Sequence, residues 1–444
     1  MINKDDLIRY FSDGEKTPGS EKIGTEHEKF VFSKKDLSLI PYDGEPSILK
    51  IFDKFIDLGW KPIKEQKNII ALKKNGASIT LEPGGQFELS GAPLDSVHET
   101  CIEINNHLEI TKSIEEDQNI GFLGIGFLPD GSFDTVPRIP KKRYSEIMTP
   151  YMKKLGGLGL EMMYQTCTVQ ANFDFTSEED MRRKVKIGTA IQPIVTGLFA
   201  NSPFKDGKLN SFQSYRSFVW TQTDDNRTGL IPSMLQPSFS YEEYVDYVLN
   251  VPTYFIAKKE NYIDCTKYTF KEIMNGKFKE IDPEELTLND WETHVSTIFT
   301  EVRLKSYIEM RGADAGGYKS LCALPAFWAG LIYCDSCIDD VMELTNKWSY
   351  EEINRFKTDV AKIGLNAKIE NQTGWDIAKK LLDFSSRGLS SRSKTNSYGD
   401  DETIHLDYLF QIVDSQESQA TKSIKAYMNE DNLDIKRLYK TESF

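Results

Sequence analysis

Apolar residues recur at three- and four-residue spacing over Ile48 to Leu58, Val97 to Ile110, Glu178 to Phe199, Tyr241 to Leu249, Ala326 to Leu344 and Glu351 to Ile363, a spacing that predicts amphipathic helices. Two of them open on a capping-box pattern, Ser177 with Asp180 and Ser349 with Glu352. Extended runs lie between them: Ile23 to Phe32, Ala77 to Leu89, Ile120 to Phe127, Tyr164 to Phe175 and Val302 to Met310. Strands separated by long helical stretches, with a hairpin signal at Pro83-Gly84-Gly85, predict an α+β fold in which helices pack on one large, largely antiparallel sheet. No repeat or low-complexity tract divides the chain. The expectation is a single domain over 1–444, with the Ser-, Gly- and Arg-rich stretch 385–400 a mobile loop and 401–444 a helical C-terminal segment.

The chain has 444 residues, 54 Lys+Arg against 68 Asp+Glu, and a net charge of −14. That balance argues against a nucleic-acid or anionic-membrane binder, whose affinity comes from clustered cations. Six cysteines are too few for a disulfide framework and suit a reducing compartment. Met1 to Ser20 carries Asp5, Asp6 and Asp13 and no secretory core or Arg-rich transit helix, and no run reaches ~18 apolar residues. The sequence therefore predicts a cytoplasmic protein without membrane spans.

The chemistry is signalled by carboxylates inside strands. In Gly24 to Phe32 the period of two puts Glu26 and Glu28 on one face with Phe30 and Phe32. Two like charges beside two aromatics fit a cation site, or equally a sheet end bathed in solvent. In Ser78 to Ser90, pairing of the two halves would bring Glu82, Gln86 and Glu88 together, unless the hairpin is simply polar on one face. From Glu301 to Arg311 every odd position is charged or Tyr, and the even positions from Val302 to Met310 are apolar except Ser306. From Thr166 to Asp174, Thr166, Thr168, Gln170, Asn172 and Asp174 share a face. Four such strands point to a polar cavity floored by a sheet. Oxygen-rich walls suit Mg²⁺ bridging to phosphates, and hence nucleotide phosphoryl chemistry with Arg or Lys on the transferring group.

Other signals are weak or absent. No Gly-x-x-x-x-Gly-Lys-Ser/Thr occurs, and Gly121 to Phe127 reads as a buried strand with close backbone packing. His27, His98, His107, His294 and His405 form no pair at helical metal spacing, so each is expected in a core or surface role. Cys334 and Cys337 are a lone Cys-x-x-Cys, weak for zinc. Arg216, Trp220 and Arg227 place two guanidinium groups and an indole in one short region, as a carboxylate clamp or as ordinary surface ion pairs.

Gly24 to Phe30, Leu81 to Gly91, Thr166 to Gln170, Phe199 to Phe204, Glu309 to Asp314 and Leu321 to Trp328 together resemble the plant-type glutamate–cysteine ligases over roughly residues 20–345. The resemblance implies a glutamine-synthetase-like carboxylate–amine ligase fold with a funnel-shaped sheet. It implies condensation of L-glutamate with L-cysteine at the expense of ATP, with Mg²⁺, or Mn²⁺ in its place, as cofactor. By the same resemblance Glu26, Glu28, Glu82, Glu88, Glu309 and Gln170 are metal ligands, and Glu309 and Arg311 catalytic. Arg311 and Lys73 would meet ATP, and Arg216, Trp220, Arg227, Thr166 and Cys167 the amino-acid substrates. The expected partners are these small molecules only, in a monomer or homodimer. Plant members pair a cysteine matching Cys265 with another fifteen residues later, where this chain has Glu280, so that regulatory disulfide cannot form. The rival readings are a ligase of the same fold using another amine, and a non-catalytic nucleotide-binding regulator.

Overall fold

The structure is a computed structural model and describes residues 2–258, 261–428 and 435–444. Nine strands form its main sheet: β1 Ile23–Ser33, β2 Lys61–Glu65, β3 Asn68–Lys74, β4 Ala77–Leu81, β5 Phe87–Ser90, β6 Ile120–Leu123, β7 Thr168–Phe173, β8 Val302–Leu304 and β9 Ile308–Asp314. Their order is β8-β9-β7-β1-β5-β4-β3-β2, with β6 alongside the second half of β1, and every pairing is antiparallel. Strand β1 is the axis: it pairs β7 through Ile23–His27 on one side and β5 through Glu26–Lys29 on the other.

The back of the sheet is the main core. Ile308 and Met310 of β9 face the helix Glu178–Leu198, most of whose residues are buried, while Val169, Ala171 and Phe173 of β7 face the helix Tyr318–Ile332. The helix Gly374–Arg392 lies against both of these helices, most extensively against Tyr318–Ile332. The alternate residues of the same strands turn the other way, so a single periodicity makes both a core and a polar face. No single helix among the described residues is long and apolar enough to cross a membrane.

Three expectations need correction. Residues 385–392 are not loop: the helix Gly374–Arg392 runs through them, and only the turn up to Asp400 is irregular. The small residues serve a helix crossing, where Ser385 donates to the Phe327 carbonyl (2.9 Å) and Gly388 lies against Gly330. A Cβ on Gly388 would sit 1.8 Å from the Gly330 carbonyl oxygen. Gly388→Ala is therefore expected to destabilise the protein by a net 1–3 kcal/mol or so in urea unfolding, because overpacking against backbone outweighs the ~1 kcal/mol that alanine gains in a helix. Ala326 to Leu344 is not one helix: Tyr318–Ile332 and Asp335–Thr345 meet at 91°, broken where Cys334 adopts an extended backbone. The first begins well before Ala326, since it is buried on all sides and carries no polar stripe to mark its phase. Val302 to Met310 is a hairpin rather than one strand, turning at Lys305-Ser306-Tyr307 and pairing Arg303 with Glu309. The alternation survives because it is symmetric about Ser306.

Candidate active site

The front of the sheet floors a cavity of about 280 Å³. Register puts the carboxylates there: Glu28 of β1 lies opposite Glu88 of β5, Glu88 opposite Thr80 of β4, and Glu26 opposite Gln170 of β7. Glu82 joins them from the β4–β5 turn, where Pro83 occupies the second position and Gly85, at φ +83°, closes the turn by donating to the Glu82 carbonyl (2.9 Å). Gln86 is spent on structure, donating to the Met163 and Thr166 carbonyls at 3.2 and 3.0 Å. Glu26, Glu28, Glu82, Glu88 and Gln170 all line the cavity, as expected of a shared site.

The carboxylates are oriented but not neutralised. Glu26 accepts from the Asn172 amide (2.9 Å), Glu28 from the Thr168 backbone N–H (3.0 Å), and Glu88 from the Thr80 and Ser90 hydroxyls (2.6 and 3.1 Å). Burial, and then the charges of Glu309 and Glu88, push the Glu26 carboxyl up to about 7. Burial followed by Glu88 and Glu82 pushes Glu28 well above the usual carboxylate range, and burial with Glu82 raises Glu88. Hydrogen-bond donors that orient these carboxylates while neighbouring like charges crowd them make a donor set suited to a hard cation with oxygen ligands.

Arg143, Arg216, Arg303 and Arg311 line the same cavity. Arg311 reaches Gln170 (2.5 Å) and Glu309 (3.3 Å). Arg216 donates to the Arg311 carbonyl (3.1 Å) and lies over the Trp220 ring at 5.8 Å. Thr166 lines the cavity beside them.

Other expected residues lie elsewhere. Glu309 is fully buried and does not line the cavity: Arg303, Lys305 and Arg311 enclose it. Burial alone would raise its carboxyl, but those three cations hold it well below the usual range. A ligand role for Glu309 requires it to exchange these cations for a metal. Arg227 is not at the cavity: it is wholly buried, its donors taken by Asp224 (2.7 Å), Thr297 and the Pro252 carbonyl (2.6 Å), with Tyr254 stacked on it at 3.9 Å. Its neighbours made it look like a clamp, yet its donors tie its own loop to the segments at Pro252 and Thr297. Cys167 alternates with Thr166 and Thr168 and so turns into the core. Lys73 lies on the carboxylate face of the sheet but at its exposed margin, opposite Ser78. Cys265 is a buried free thiol.

Arg143 and Tyr144 line the cavity without any signal in the sequence pattern. Arg143 opens a one-turn π-helix, Arg143–Met148, which aims it at the cavity with Tyr144 accepting from it (3.0 Å). Such bulges cluster at functional sites but leave no periodic trace. Arg303 was legible only as one of the charged odd positions.

The large antiparallel sheet, backed by helices and carrying carboxylates and guanidinium groups around one cavity, has a fold shared with a glutamate–cysteine ligase of known structure. A crystal structure of a glutamate–cysteine ligase from Francisella tularensis in complex with AMP superposes with a TM-score of 0.57 at 14% identity, covering 96% of this chain and 88% of that one. A bifunctional glutathione synthetase from Pasteurella multocida superposes at 0.53 and 13% identity, over 99% of this chain and 53% of that one. Residues 22–441 match the model of glutamate-cysteine ligase family 2 (GCS2). The chain is 49% identical over 391 residues to glutamate–cysteine ligase B, chloroplastic, of Oryza sativa subsp. japonica, spanning 88% of this chain and 78% of that protein. It is 46% identical over 430 residues to the chloroplastic glutamate–cysteine ligase of Arabidopsis thaliana, over 97% of this chain and 80% of that one. The chain belongs to glutamate-cysteine ligase family 2. These relatives also overturn the cytoplasmic expectation, since they are named chloroplastic; the acidic composition of Met1 to Ser20 is no basis for assigning the cytoplasm. The match runs to residue 441, beyond the limit near 345 at which the resemblance faded in the sequence.

Proposed function

We propose that this chain joins the γ-carboxylate of L-glutamate to the amine of L-cysteine at the expense of ATP, giving γ-glutamylcysteine, the first step of glutathione biosynthesis. The observation that carries the reading is the gathering of Glu26, Glu28, Glu82 and Glu88 with Arg143, Arg216, Arg303 and Arg311 around one cavity, within a chain of this family.

Glutamate and ATP repel each other as anions, so the first task is to bring two negative groups together. Arg216, backed by Trp220, offers a guanidinium fork for a carboxylate of glutamate, and Thr166 offers a hydroxyl beside it. Glu26, Glu28, Glu82 and Glu88 would hold Mg²⁺, or Mn²⁺ in its place, which when bound neutralises phosphate oxygens. A γ-carboxylate oxygen attacks the γ-phosphorus and ADP leaves, with Arg311 and Arg303 facing the charge of the transferring group. The cysteine nitrogen then attacks the carbonyl of the γ-glutamyl phosphate, one proton is lost from nitrogen, and phosphate departs. Glu309 acts through the two arginines as a positioning residue, while Lys73 extends the cationic surface at the nucleotide margin.

With ¹⁸O in the γ-carboxylate of glutamate, one labelled oxygen is expected in the inorganic phosphate released, and unlabelled phosphate would exclude the acyl phosphate. Glu309→Gln separates the roles proposed for that residue. As a positioning residue it is expected to lose roughly 10²-fold in kcat at an unchanged Mg²⁺ half-saturation, read from initial rates across a Mg²⁺ series. A raised half-saturation would make Glu309 a ligand.

A further inference from the structure

The corner where the helices Tyr318–Ile332 and Asp335–Thr345 meet at 91° carries a sequence signal that the cavity leaves unused, the pair Cys334 and Cys337. Cys334 caps the second helix with an extended backbone (φ −139°, ψ 105°), and its carbonyl accepts from the Cys337 N–H (2.9 Å). That bond closes a four-residue turn, whose first and last Cα atoms lie less than about 7 Å apart. A disulfide spans Cα separations of about 4.4–6.8 Å, so the turn already holds the two residues in reach of one. The two thiols hydrogen-bond to each other. Among the described residues no further Cys, His, Asp or Glu completes a three-ligand group with them, which favours a dithiol over a metal site.

We propose that Cys334 and Cys337 are a thiol–disulfide exchange site oxidised by a low-molecular-weight disulfide, with Cys334 the attacking and Cys337 the resolving residue. The surroundings divide the roles. Cys334 is partly exposed and Cys337 is buried. Burial works against ionising Cys334, yet hydrogen bonds with the Cys337 thiol, the Ser336 hydroxyl, the Cys337 backbone N–H and the Ser391 hydroxyl hold its thiol below the usual value, as does a place at a helix N-terminus. Burial, and then Cys334 itself, push the Cys337 thiol up to about 11. Arg387, 3.7 Å from Cys337 Sγ, opposes that rise and supplies a charge to meet the Cys337 thiolate when it forms. In the first step the Cys334 thiolate attacks one sulfur of the small disulfide. A mixed disulfide forms on Cys334, the original sulfur–sulfur bond breaks, and one thiolate leaves to take a proton from solvent. In the second step Cys337 gives its proton to solvent and attacks Cys334 Sγ, expelling the other thiolate. Two electrons pass from the dithiol to the small disulfide, which leaves as two thiols. A partly exposed sulfur at the corner between two packed helices suits a small molecule better than the surface of a folded protein. Neither cysteine lines the carboxylate cavity, so the site stands or falls apart from the ligase reading.

The test treats the reduced full chain with L-cystine at neutral pH, quenches with acid, alkylates the remaining thiols and maps the products by mass spectrometry. Cleavage after Tyr333 separates the pair from Cys322. The parent chain is expected to lose two hydrogens within the peptide carrying Cys334 and Cys337 and to release two molecules of cysteine for each such bond. Cys337→Ala should stall after the first step, with one cysteine held on Cys334 and one released. Cys334→Ser should slow oxidation at this site by roughly 100-fold or more, because the thiol left behind is buried and scarcely ionised. Serine is a good helix cap, so this variant keeps the fold. Should Cys337→Ala fail to fold, acid quenching of the parent at early times gives the same reading, as a mixed disulfide carried on Cys334. A mixed disulfide on Cys337 instead, a parent chain that stops at the mixed disulfide, a pair still open to alkylation after cystine, or Cys334→Ser reacting at the parent rate would overturn the proposal.

Discussion

Arg311→Ala is expected to lower kcat by roughly 10²–10³-fold with little change in the folded state, the scale of removing one preorganised charge from a developing anion. Arg311 is the guanidinium most closely tied to both sides of the site: its side chain bridges Gln170 and Glu309, and its carbonyl accepts from Arg216 (3.1 Å) and Thr168 (3.3 Å). The backbone contacts remain in the variant, so Arg216 and β9 should keep their places while the charge facing the transferring phosphoryl is lost. Arg311→Lys should recover little, because an ammonium cannot hold Gln170 and Glu309 and still present a planar fork. The measurement is kcat at saturating Mg·ATP, glutamate and cysteine, with far-UV circular dichroism as the folding control. A folded Arg311→Ala enzyme within threefold of the parent kcat would remove Arg311 from the chemistry.

The second large effect is on stability. Asp314, at the end of β9, is buried and accepts from the Asn201 N–H (2.8 Å), the Ser202 hydroxyl (2.7 Å) and the Ser214 hydroxyl (2.8 Å). Ser202 in turn accepts from the Arg216 N–H (3.1 Å). One carboxylate therefore ties the Phe199–Phe204 segment to the helix Tyr215–Trp220, which presents Arg216 and Trp220 to the cavity. Asp314→Ala strands three donors in a dry interior, at about 1–3 kcal/mol each when unrelieved. A total loss on the order of 3 kcal/mol is expected in urea unfolding, together with a raised KM for glutamate as Arg216 loses its support. Asp314→Asn keeps one acceptor oxygen and should lose less than half as much. A change below ~0.5 kcal/mol in Asp314→Ala would show that the loop is held by other means.

Much of this was legible in the sequence because strand periodicity is a strong constraint. Once Glu26, Glu28, Gln170 and Glu88 share a face with period two, antiparallel register brings them to one cavity. Gly121 to Phe127 was also readable as close packing: a Cβ on Gly121 would meet the Phe32 ring at 2.4 Å and one on Gly126 would meet Asp314 at 2.4 Å. What failed was whatever depended on long-range partners. Asp224 is a local partner for Arg227, but its burial away from the cavity is completed by Pro252 and Thr297, which the sequence does not place beside it, while Arg216 faces the cavity. Glu309 carries the same pattern as Glu28, and only the fold reveals that three cations surround it. Small residues at Ser385 and Gly388 mean a loop when alone and a tight crossing when Gly330 stands opposite.

The most direct measurement is ADP release by the purified protein with Mg·ATP and L-glutamate, with and without L-cysteine, paired with mass spectrometry of the product. The account predicts cysteine-dependent ADP release matched one for one by γ-glutamylcysteine. Turnover with a different amine and none with cysteine, or ATP binding without turnover with any amine, would contradict it.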